Sequence, residues 1–205
     1  MAFQTDQEAQ QQLFADTLIK LQIHSALAKE RIHHNKSPLP LLAQSCSLLD
    51  NLPTSTSSST TTPTHWTPAQ RTLIDALKID VWTALADACI QASDLIQAEA
   101  SLQRLATLQD AAAGPFSWRA QKKSKSKKLS NSSNTSVTDA AHSGPTDEHR
   151  QAAAGLIQTW NKLRQVHTDM GKLDMANNFG KRIQKMNEVL QNAALPSYIP
   201  TTTTP

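Results

Sequence analysis

Seven histidines and two cysteines are the side chains of this sequence best suited to acid–base, metal or nucleophilic chemistry, and their spacing argues against all three. His33 and His34 adjoin at the end of an apolar-periodic stretch, where imidazoles serve as helix C-terminal caps and partners of the helix dipole. A metal site would need a third and a fourth ligand at set spacing, and none is near. His167 lies on the apolar stripe of its own segment. It reads as a core or groove histidine, because a catalytic base needs a partner that the sequence does not supply. Cys46 and Cys89 stand alone in apolar, helix-like stretches, without the spacing of a zinc site or the numbers of a disulfide framework. They read as small buried hydrophobes in a reducing compartment. There is no GxSxG nucleophile elbow and no glycine-rich phosphate loop, and the carboxylates are scattered. The sequence predicts a protein that is not an enzyme, with no catalytic residues, no metal ligands, no cofactor and no small-molecule substrate.

Charge is the other chemistry on offer. Arg119, Lys122, Lys123, Lys125, Lys127 and Lys128 form a basic run broken by Ser124 and Ser126. Three readings compete for it. It is a nuclear-import signal or nucleic-acid patch, a loop for an acidic or phosphate-bearing partner, or a set of charges that keeps an insert in solution. Phosphorylation of Ser124 or Ser126 would lower the local positive charge. Trp118 precedes the run in FSWRAQKK and has two readings. It stacks on a base or docks on a partner, or it folds back with Phe116 on the helices beside it. The net charge of +3 is too small to decide between partners.

The elements that must position these residues are helical. The hydrophobic fraction is 39%, below the roughly 45–50% of typical domains, and aromatics make up only 4%. The core must be built from Leu, Ile and Ala, which suits helices better than sheets. We expect an all-α protein of antiparallel helical hairpins, forming a bundle or short array with disordered inserts. Residues 5–52 read as an N-terminal hairpin, 66–113 as a middle one and 146–195 as a C-terminal one. Between them lie a Ser/Thr linker at 53–65 and a basic, Ser-rich insert at 114–145, with a tail at 196–205. The linker and insert have few side chains worth burying, so folding cannot offset their entropy.

Within the first block a helix over about 6–34 carries Phe14, Leu18, Leu21, Ser25, Ala28 and Ile32 as one stripe. Asn35, Ser37, Pro38 and Pro40 stop it, and a second helix follows over 39–52. The middle block starts at Thr67-Pro68, a good cap followed by a favoured first residue, with Trp66 placed to staple the helix start. Leu73, Leu77, Val81, Leu85 and Ala88 share its expected core face. That helix should end near Ser93-Asp94, where Asp94 and Gln97 resemble a capping box for the next. Thr146 caps the third block, and Gly171 marks its turn. Trp82 and Trp160 read as core.

Two of these hairpins overlay. Trp82, Leu85 and Ala98 match Trp160, Leu163 and Ala176, 78 residues on. The pattern resembles the tetratricopeptide repeat, which pairs a Trp and a Leu on the first helix with small residues on both. The small residue lets the helices approach, and the large ones fill the groove between them. Trp160, His167 and the KRI at 181–183 also resemble, more weakly, the helical domain shared by a Sec-family coat protein and the steroid receptor RNA activator protein.

The repeat resemblance implies a non-catalytic protein-binding module: a scaffold, an adaptor or a small subunit of a larger complex, receiving a partner helix or peptide in a groove. The residues facing that groove would then be Thr83, Asp87, Asn161 and Arg164. The alternative is association with nucleic acid through 119–128. The N-terminal sequence has no basic n-region followed by an apolar core, and no apolar run approaches the roughly 20 residues that span a bilayer. No membrane insertion is therefore expected, and the cytoplasm or nucleus is the expected location.

Overall fold

The computed structural model of the chain describes residues 2–52, 66–120 and 146–194. These residues are all-α: α1 (Ala2–His33), α2 (Leu39–Asp50), α3 (Pro68–Gln91), α4 (Leu95–Ala112), a 3-10 turn (Gly114–Phe116), α5 (Asp147–Asp169) and α6 (Leu173–Ala194). Residues 118–120 begin a further helical turn. The Ser/Thr linker, the five lysines of the basic run and the tail lie outside the described residues. The chain divides into two compact units, Met1–Leu108 and Gln109–Pro205, with the boundary inside α4.

Local chemistry sets the helix starts. Thr67 caps α3 by a full capping box: its Oγ1 accepts from the Gln70 N–H at 3.2 Å, and Gln70 Oε1 accepts from the Thr67 N–H at 2.9 Å. Each such cap is worth about 1 kcal/mol. Trp66 does not act as the expected staple, because the residue it would have to meet is Arg71. Instead the indole is buried against Phe14 of α1, ring centroids 5.5 Å apart, and the Trp66 carbonyl accepts from Arg71 Nε. Thr146 caps α5 in the same way with a histidine as the second partner. Thr146 Oγ1 accepts from the His149 N–H, and the Thr146 N–H donates to His149 Nδ1 at 3.2 Å.

Three helix ends share one device. Asn35, Ser93 and Gly171 have φ of 53°, 59° and 73°. The following N–H reaches back to a carbonyl five residues earlier, from Lys36 to Arg31, Asp94 to Cys89 and Lys172 to His167. This left-handed residue with its long reverse bond satisfies carbonyls that the helix end leaves open. α3 ends at Gln91, slightly before the expected Ser93, and Asp94 Oδ1 accepts from the Gln97 N–H to start α4.

In the first unit α2 packs on both α1 and α3. Leu21, Leu49, Leu52, Trp66 and Ile74 form its core cluster, with Phe14, Leu77 and Val81 against it. The buried face of α3 is Ile74, Lys78, Leu85, Ala86 and Cys89. Leu73, expected on the core side, is 44% exposed. α3 carries two adjoining apolar faces, and the one containing Ile74 is covered. Ala98, Ser101, Leu102 and Leu105 are buried on α4. His24 of α1 meets Ser45 of α2, Nδ1 to Oγ 3.1 Å. Because the Ser45 hydroxyl already donates to the Leu41 carbonyl, the proton between them belongs to His24 Nδ1.

In the second unit α5 and α6 pack together, and the 3-10 turn packs on both. Leu156, Trp160, Leu163, Val166 and His167 of α5 are buried with Ala176, Phe179 and Met186 of α6 and with Phe116. A buried bond from Thr159 Oγ1 to Gln109 Oε1, 2.7 Å, fixes the start of the unit to α5.

Candidate functional site

Between α1 and α3, with α2 as its floor, lies a groove of about 720 Å³. Leu18, Leu21, Ser25, Ala28 and Ile32 line it from α1, and Leu73, Leu77, Val81, Ala84 and Ala88 from α3. These are nearly the same residues whose helical spacing marked the two apolar stripes in the sequence. Thr17, Leu21 and Ala28 are buried on α1, Leu21 and Ala28 lining the groove as well, and Phe14 packs on the core cluster instead. Ile32 is 57% exposed in the groove. Groove-facing positions on α3 follow 73, 77, 81, 84 and 88, one residue out of step with its buried face.

Polar side chains stand among the apolar ones: Lys29 and Gln22 on α1, and Asp80, Asp87 and Gln91 on α3. Asp80 and Asp87 are seven residues apart and so share an edge of α3, about 10 Å from each other along the axis. From Leu18 to Ile32 the lining runs for about 21 Å at the helical rise, the length of roughly four turns of a bound helix.

The expected groove residues divide between the two units. Asp87 lines the groove. Thr83 is half-buried on the same helix, outside the lining, and its hydroxyl donates to the Ile79 carbonyl at 2.7 Å. Asn161 and Arg164 are exposed on α5 of the other unit, where Asn161 Nδ2 donates to the Ile157 carbonyl. Of the residues that carry the repeat resemblance, Leu85, Ala98, Trp160, Leu163 and Ala176 are buried. Trp82 is only half-buried, and its indole Nε1 is enclosed without a hydrogen-bond acceptor.

Arg119 is the one member of the basic run within the described residues. It is exposed, with Nε 3.7 Å from Asp110 Oδ2. Trp118 folds back on its own unit, edge-to-face against Trp160 at 5.8 Å, and its backbone N–H donates to Asp110 Oδ1 at 2.6 Å. Lys185 Nζ lies 4.8 Å and Arg182 Cζ 5.8 Å from its ring centroid. In the sequence Arg182 stands out only within the KRI at 181–183, and nothing there joins it or Lys185 to Trp118.

His167 is fully buried and stacks on Phe179, centroids 5.4 Å apart and planes at 15°. Both cysteines are buried and free. Burial pushes the Cys46 thiol up to about 12, helped by the nearby Asp50. Burial and Asp94 raise Cys89, against a lowering hydrogen bond with Ser101. Thiols held protonated are poor nucleophiles. Among the described residues no group of three or more His, Cys, Asp or Glu could hold a metal ion, and no helix is long and apolar enough to cross a membrane. No protein-family model, curated protein or solved structure matches the chain.

Proposed function

We propose that the chain is a non-catalytic protein-binding module, and that the groove between α1 and α3 receives an amphipathic helix of a partner protein. The carrying observation is that apolar side chains of two helices line one contiguous groove, with Ile32 and Leu73 exposed in it. Isolated exposed apolar residues are ordinary, but a contiguous apolar lining is a feature of interaction sites. An inserted helix would bury Leu, Ile or Met at i, i+3 or i+4, and i+7 against Leu18, Leu77 and Val81. Asp80 and Asp87 favour Lys or Arg seven residues apart on the edge that faces α3. The residues of the first unit carry 7 Lys and Arg against 10 Asp and Glu, which supports a basic partner helix. Scaffolding or adaptor work in a larger assembly fits such a surface.

The test uses groove positions that the fold does not need. Ile32→Asp with Leu73→Asp places two charges in the lining at exposed sites, and Ile96→Asp, at a position 75% exposed and outside the lining, is the control. A photoreactive residue at Ser25 then reports what enters. The expected result is a cross-link to an amphipathic basic helix, lost in the double variant and kept in the control, with unchanged melting temperatures. A cross-link that survives the double variant would sink the reading.

A further inference from the structure

The second unit carries a different surface. His167, Phe179 and Arg182 are layered, with Arg182 Cζ 5.1 Å from the Phe179 centroid and 5.8 Å from that of Trp118. Lys185 lies over the same indole at 4.8 Å. Arg182 and Lys185 are three residues apart and share one face of α6. Among the described residues no carboxylate lies within ion-pair distance of Arg182. The Trp118 backbone is held by its N–H bond to Asp110, and its ring by the edge contact with Trp160. Two cations are thus held against a fixed, half-buried aromatic ring.

The charge of the unit points the same way. Residues 109–205 carry 13 Lys and Arg against 7 Asp and Glu, whereas 1–108 carry 7 against 10. The excess of the whole chain is therefore concentrated in this part. A polyanion is the complementary ligand.

From this we infer that Trp118, Arg182 and Lys185 form a docking surface for single-stranded nucleic acid. An unpaired base takes the place of the ammonium over the indole, while Lys185 and the Arg182 fork turn to flanking phosphates. An acidic protein surface fits less well, because such interfaces need an apolar centre. The large exposed apolar side chains described in this unit are Leu173 and Met175, more than a helical turn away at the start of α6. A duplex fits less well because its bases are not free to meet the ring.

The experiment titrates the full chain into a labelled oligouridine of about 12 nucleotides. Fluorescence anisotropy reports binding, and the difference in tryptophan emission between the natural chain and Trp118→Phe reports the ring. Expected are quenching on binding and an affinity that falls roughly 5- to 10-fold between about 50 and 200 mM salt, the slope of about two phosphate contacts. Arg182→Gln with Lys185→Gln weakens binding at least about 10-fold with circular dichroism and melting unchanged, and Trp118→Phe retains part of the affinity. Lys122, Lys123, Lys125, Lys127 and Lys128 changed to Gln form the second arm. The inference is overturned by no binding, or by loss in the second arm with no effect of the α6 pair. Equal binding of a duplex of the same length, or equal competition by a polyglutamate peptide, overturns it as well.

Discussion

Gly114 shows how much one residue can settle. Its φ is +52°, and a Cβ there would stand 2.7 Å from the ring of His149. The same ring completes the capping box of α5. A side chain at 114 is therefore opposed both by backbone strain and by an imidazole that has its own task. Gly114→Ala should destabilise the protein by about 2 kcal/mol or more. His149→Ala alone should cost about 1 kcal/mol as a lost cap. In the double variant the clash is gone while the strain remains, so its cost should fall below the sum of the two, as read by chemical denaturation. A histidine at the third helical position is not the Glu or Gln of the usual box, so the sequence reveals Thr146 as a cap but not its partner.

The reverse turn after α3 offers a test at the scale of the element. Ser93 holds φ +59° where the equivalent turn after α5 uses Gly171. Ser93→Gly removes the strain of a left-handed Ser at the cost of a more flexible unfolded chain, and should stabilise by about 0.5–1 kcal/mol. A thermal melt checks it, and a lower melting temperature would count against strain at this residue. The helices themselves were legible in the sequence because spacing, caps and Pro signals agree. Their ends came within a few residues. What spacing could not tell is which of two apolar faces is covered. On α3 the stripe through Leu73, Leu77 and Val81 and the stripe through Ile74, Leu85 and Cys89 have the same period, and only the packing of α2 chooses between them. Of the face expected to be core, Leu85 is buried, Leu77 and Val81 pack on the core cluster while also lining the groove, and Leu73 is exposed in it. Thr83, which the repeat resemblance puts on a groove face, turns its hydroxyl to its own helix, because a β-branched Thr inside a helix readily bonds the carbonyl one turn back. Arg182 and Lys185 could not be joined to Trp118 from sequence, since more than sixty residues separate them.

Across the whole molecule the chemistry is divided. Both thiols lie in the first unit, and both are raised by burial. A thiol whose folded value exceeds its unfolded one stays protonated in the fold while the unfolded chain ionises. That contribution to stability is full below about pH 9 and is lost as pH rises from 9.0 towards 12 for Cys46. Melting temperature should fall more steeply above pH 9 in the natural protein than in a Cys46→Ala, Cys89→Ala variant. Equal slopes would mean that both thiols ionise freely. The same division has a practical side. A thiol reagent can reach Cys46 or Cys89 only when the first unit opens, so the labelling rate under native conditions is a clock for that opening. Trp118 and Trp160 are in edge contact within the other unit, and the difference in emission between the natural protein and a Trp118→Phe variant separates its signal from that of Trp66 and Trp82 in the first. The two samples, labelled over time while their emission is followed, therefore show whether the two halves of this chain breathe together or each keeps its own time.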